Sequence, residues 1–349
     1  MSQDNEHTVD ADLRSGRRRR WTRLLAAMAM SAILVALLSR QTSLGEIAVV
    51  LASSDRRLIL LGFAIYAVAN WFKGLRFRLA TSTDRPVTRL DVYETTCLYN
   101  MATGLLPFGA GEISYPYLMR RWHDVGISQS TPALVVTRLF DLIMVSLIFL
   151  VSALVIRQQL AMSSQLIFVA LVVLAAAIVA LILAPWMGDR LLKILESLHT
   201  RWSPERLRQG GNRVLAAGHR FIDNLRQISN IGQVAAIGFY SFLIWGISYL
   251  VFLVVIQALG YDFNYWMAAF CASLALMTNL LPIQGIAGLG VREVGWILGL
   301  TALGFSTAEA TTLAFSIHAV TLSYLILLGL LAGLTSTVRR SIRRQEGIA

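Results

Sequence analysis

Charge is scarce in this sequence: only 15% of its 349 residues are Asp, Glu, Lys or Arg, while 56% are apolar. That ratio excludes a disordered chain, and it puts more hydrocarbon into the molecule than one ordinary soluble domain can hide. Cysteine is nearly missing. Cys97 and Cys271 stand 174 positions apart, which excludes a small disulfide scaffold, and no Cys/His spacing suits a metal. Catalytic signatures are absent too: there is no Gly-x-Ser-x-Gly elbow, P-loop or His-Glu-x-x-His motif. The GIAGLG run at 285–290 has no βαβ unit around it, so a dinucleotide site fails, and neither a cofactor nor a metal is expected. The longest polar stretch is about 45 residues, too short for a dedicated catalytic domain.

Long hydrophobic runs are what the chain has instead. Six of them, at 21–39, 58–79, 130–156, 166–187, 234–259 and 309–334, come near the roughly 20 residues that cross a bilayer as a helix. The expected fold is an all-α polytopic integral membrane protein. Its first run follows a polar tail, 1–20, ending in Arg17 to Arg20; without a small-x-small cleavage site after it, this reads as an uncleaved signal anchor.

The net charge of +11 would suggest nucleic acid in a soluble protein, but its placement gives another meaning. Lys73, Arg76, Arg78, Arg85 and Arg89 follow or end the second run, and Arg339, Arg340, Arg343 and Arg344 follow the sixth. Between the fourth and fifth runs lie Arg190, Lys193, Arg201, Arg206, Arg208, Arg213, Arg220 and Arg226. The opposite loops are poor in charge, so the positive-inside rule puts both termini, 1–20 and 335–349, in the cytoplasm of a cell with a bacterial inner membrane. The partner implied is anionic lipid rather than nucleic acid, and 188–232, with leucines spaced along one helical face, reads as a helix on the membrane surface.

Two stretches, 90–126 and 263–304, are too apolar for loops and too rich in Gly and Pro for plain spans, and they resemble each other. In the first, Leu105, Leu106 and Pro107 precede Gly109, Gly111 and Glu112; in the second, Leu280, Leu281 and Pro282 precede Gly285, Gly288, Gly290 and Glu293. Asn100 and Asn279 precede the breaks, as caps or partners for exposed backbone, and the prolines lie 175 residues apart. Such a helix–break–helix pattern suits a re-entrant hairpin, because non-helical backbone at membrane depth needs protein or a watered cavity around it. Three spans separate the two, so the hairpins enter from opposite sides as an inverted repeat, the arrangement that marks a substrate site in transporters.

Ionisable residues within the apolar runs are costly and point to a pair, a pathway or a site. Glu112 ends the first break, and Arg138 and Asp141 are three apart on the following span. These could receive a lipid headgroup, the guanidinium on phosphate and the carboxylates on an amine or hydroxyl; equally, Arg138 and Asp141 could only neutralise each other. Glu293 and Arg292 sit at the second break, either as a second contact point or as a local pair. Arg120 and Arg121, beyond Glu112, are placed to meet an anionic group from the cytoplasmic leaflet, and His318 reads as a helix-packing residue.

The run NMATGLLPFGAGEISYPYLMRR with the following TRLFD, and TNLLPIQGIAGLGVRE near the second break, resemble the lysylphosphatidylglycerol synthase transmembrane-region family. The resemblance covers about 21–334 and implies a flippase-like membrane domain, which in bifunctional members moves an aminoacylated lipid made by a fused transferase. That transferase domain is absent from this chain, so the resemblance implies transport rather than synthesis and leaves open a phospholipid, an aminoacyl-lipid or a lipid-linked sugar. Two other readings remain: an accessory subunit that docks a lipid-synthesis enzyme or glycosyltransferase through 188–232, and an intramembrane transferase with Glu112 as general base.

Overall fold

The computed structural model describes residues 44–81, 87–107, 109–160, 230–278 and 286–345, with short pieces between 168 and 223. Helices build these stretches, and no strand occurs among the described residues. Four of them are long and apolar enough to cross a membrane: α2 (Arg56–Ala80), α5 (Ile127–Val155), α6 (Ile231–Ala258) and α9 (Thr307–Gln345). They fall on the runs expected at 58–79, 130–156, 234–259 and 309–334. The expected span 21–39, most of 166–187 and most of the basic segment 188–232 lie outside the described residues. A short helix, α1 (Leu44–Ala52), precedes α2 and was not anticipated.

Local sequence sets the helix starts. The Asp55 carboxylate accepts from the Arg57 amide at 2.8 Å ahead of α2, and the Asn230 side chain accepts from the Gly232 amide at 3.0 Å ahead of α6. Thr88 and Asp91 form a reciprocal capping box at the start of α3 (Arg89–Leu105).

The first Pro/Gly stretch is a helical hairpin. Pro107 ends α3, and the residue before it, Leu106, is extended at φ −84° and ψ 133°, as the proline ring demands. Gly109 turns the chain at φ 66°, a tight 3-10 turn follows over Ala110–Ile113, and α4 (Ser114–His123) runs back along α3. Gly111 lies so close that a Cβ would stand 2.3 Å from the Thr103 Cα, and at the far end Thr95 Oγ1 meets His123 Nε2 at 3.1 Å.

The second stretch folds back in the same way. α7 (Tyr265–Met277) and α8 (Val291–Ala302) lie side by side, with Gly295 against the Ala275 backbone and Gly299 against that of Cys271. The break itself is described from residue 286 onward, where Ala287, Gly288 and Gly290 all have positive φ; Asn279, Pro282 and Gly285 lie outside the described residues.

Packing in one half recurs in the other. α2 packs on α6; α3 packs on α9 as α7 packs on α5; and each hairpin packs on the span that follows it. α2 and α6 run antiparallel, since the Asp55 amide donates to the Ala258 carbonyl at 2.8 Å while Gln233 Nε2 donates to the Leu79 carbonyl at 2.7 Å. One apolar core centres on Phe149, Phe270 and Trp296 beside the second hairpin, another on Phe77, Tyr99 and Tyr115 beside the first.

Candidate functional site

A cavity of about 740 Å³ lies between the two hairpins and the spans α2, α5 and α6. The first hairpin contributes Asn100, Thr103 and Glu112, the second Leu276, Met277 and Arg292. Four cations line the cavity, Lys73, Arg76, Arg138 and Arg292, with two carboxylates, Glu112 and Asp141. Leucines and valines of α5 supply much of the remaining wall.

Glu112, on the far side of α4 in sequence from Arg138 and Asp141 of α5, is brought together with them here. Arg138 Nη2 donates to Tyr99 Oη at 2.7 Å and to Glu112 Oε1, and Tyr99 Oη donates to Glu112 Oε2 at 2.6 Å. This triangle spans the hairpin and α5. It is open to the cavity, since the Arg138 and Glu112 side chains are 47% and 39% exposed, so the pair is solvent-screened and contributes little to stability.

Asp141 has a different role. Arg76 Nη1 and Nη2 reach its two oxygens at 2.7 and 3.3 Å, Trp245 Nε1 donates to it at 2.8 Å, and Arg138 Nη1 stands 3.6 Å away. Arg76 Nη1 also donates to Ser241 Oγ at 2.9 Å. The side chains of Arg76 and Asp141 are only 3% and 13% exposed, and this fork ties α2, α5 and α6 together at the cavity floor.

Lys73 and Arg76 were expected among the basic residues that follow or end the second span; both lie inside α2 and face the cavity. The signal was available: the apolar run was counted to residue 79, so both cations already fell within it, three positions apart. Tyr99 and Trp245, which hold the carboxylates, carried no signal that separates them from other membrane aromatics.

The remaining expected site residues are placed as follows. Arg292 points into the cavity over Gly288, with its Nε buried and unbonded. Glu293 turns the other way: fully buried, it accepts from the Gly290 amide at 2.7 Å and bonds His318 Nδ1, closing the helix start rather than lining the cavity. Arg292 and Glu293 therefore do not pair with each other. Arg120 and Arg121 are exposed at the end of α4 and do not line the cavity. Asn100 caps nothing; its side-chain amide donates to Asn70 Oδ1, fastening α3 to α2.

Helices of this length and composition, packed around a charged cavity, define a polytopic membrane protein. The chain belongs to the family described as Lysylphosphatidylglycerol synthase TM region, which it matches over residues 24–329. No match is found among curated proteins.

Proposed function

We propose that this protein moves a lipid between leaflets, passing the headgroup through the cavity while the acyl chains stay in the bilayer. The observation that carries this reading is the half-exposed Arg138–Glu112–Tyr99 triangle at the mouth of a polar cavity that both hairpins help to line. Charge at membrane depth is retained where it serves a pathway, and the cavity volume falls within the 300–1,000 Å³ usual for ligand sites. The topology proposed with it has six spans and two hairpins that enter the membrane from opposite faces, related as an inverted repeat, with both termini in the cytoplasm. The α3, α4, α7 and α8 helices, of 17, 10, 13 and 12 residues, fall short of the roughly 20 a crossing needs, which favours re-entry.

In this scheme the Arg138–Glu112–Tyr99 triangle meets the headgroup at the mouth, while Asp141 and Arg76 hold the floor still. Leaflet exchange of fluorescent phospholipids in proteoliposomes tests it. Exchange should fall at least about tenfold in Glu112→Gln and in Arg138→Ala. Folded wild-type protein that exchanges no lipid would overturn the reading and favour an accessory subunit.

A further inference from the structure

The cavity's charges are not balanced, and the imbalance lies in which of them are already bonded. Both oxygens of Glu112 are occupied by Arg138 and Tyr99, and both oxygens of Asp141 by Arg76, Trp245 and Arg138. Each carboxylate is thus already engaged by a cation of the lining, Glu112 by Arg138 and Asp141 by Arg76. Lys73 and Arg292, by contrast, form no hydrogen bond or ion pair among the described residues, and the Arg292 Nε is buried with nothing to donate to. Ser146, also in the lining, is 1% exposed with its hydroxyl unbonded. Together the lining has an excess of two positive charges, four cations against two carboxylates.

We propose, building on the translocation reading, that the cavity selects lipids whose headgroup is net negative, with Lys73 and Arg292 as the contacts for a phosphate. A phosphodiester has acceptors and no donors, so it suits three ammonium protons on one side and a planar guanidinium fork on the other. One of these cations comes from α2 and the other from the second hairpin, so both halves of the molecule supply unpaired positive charge to the cavity. A headgroup carrying two further ammonium groups, as in lysylphosphatidylglycerol, meets carboxylates already paired with cations and the surplus positive charge. This member of the family is therefore selective against the lipid in the family's name.

Binding to the purified full-length protein in neutral detergent tests this, using dihexanoyl-phosphatidylglycerol, dihexanoyl-phosphatidylcholine, the lysyl ester of the former, and inorganic phosphate. Phosphatidylglycerol should bind at least about tenfold more tightly than the choline or lysyl lipid. Lys73→Gln with Arg292→Gln should bring the three lipids within about twofold of one another, while the charge-keeping swap Lys73→Arg with Arg292→Lys retains the preference. A lysyl lipid that binds as tightly as phosphatidylglycerol overturns the proposal, as does a preference that survives neutralisation of both residues. Inorganic phosphate binding as tightly as phosphatidylglycerol would assign the site to a free anion and overturn the lipid assignment. The wild-type ranking decides even if the double glutamine variant does not fold. Selective binding without leaflet exchange would sink translocation and leave the headgroup selectivity standing; exchange with no selectivity would do the reverse.

Discussion

The two hairpins share a residue pattern, a proline break followed by spaced glycines and a glutamate, yet they treat the glutamate oppositely. In the first, Glu112 comes off a 3-10 turn, is 39% exposed and bonds a cation across the cavity. In the second, Glu293 is the third residue of α8, fully buried and bonded to the helix start and to His318. The glycines behave alike in both, letting one helix backbone lie on the other, at Gly111 against Thr103 and at Gly295 against Ala275. The pattern thus encodes how the chain reverses, while the neighbouring helix decides what the carboxylate does. Where α5 offers Arg138 the result is a cavity group; where α9 offers His318 it is an internal tie.

The largest effect is expected where the first hairpin's cavity has its floor. Asp141→Ala leaves Arg76 buried without its counterion and should destabilise the protein by about 3–5 kcal/mol, read as thermal unfolding in detergent. Gly111→Ala and Gly295→Ala should each cost about 1–3 kcal/mol, because a methyl group would meet backbone at 2.3 and 2.5 Å and backbone cannot give way cheaply. Tolerance of one and not the other would mean that the hairpins do not close alike. Next come the glutamates themselves: Glu293→Gln should cost about 1–3 kcal/mol by leaving His318 underbonded, with leaflet exchange reduced no more than stability dictates. Glu112→Gln should cost less than about 1 kcal/mol, yet lower exchange at least about tenfold. Stability loss at Glu112 together with exchange loss at Glu293 would reverse the contrast. Smallest of all, Arg120→Gln and Arg121→Gln should change stability by no more than about 0.5 kcal/mol, since both are exposed outside the cavity.

Much of the fold was legible because bilayer thickness imposes one length on every span: the four described long helices begin within a few residues of where the apolar runs begin. The first hairpin was legible for a different reason, since Pro107 and the left-handed Gly109 end α3 and turn the chain. The site was legible only in part. Arg138 and Asp141 stood out as charges in the middle of a run, whereas Lys73 and Arg76, near the end of theirs, were read as the ordinary basic flank of a span. Glu293 could not be separated from Glu112 by sequence, because the difference between them is made by His318, 25 residues further on. α1 was missed because nine residues are too few for a periodicity to register.

Like α5, α9 touches both hairpins. Along its 39 residues α9 bonds Glu293 through His318 near one end, and near the other Arg339 reaches Asp91 and Glu94 of α3 at 2.6 and 2.5 Å while Arg340 stacks over Trp122 of α4. Between these it bonds α2, Tyr324 Oη donating to the Ile59 carbonyl at 2.5 Å. α9 is thus a crossbar fixed at both ends. Any rocking that leaves these bonds intact must carry the two hairpins together, so a movement of one hairpin alone would first have to break them.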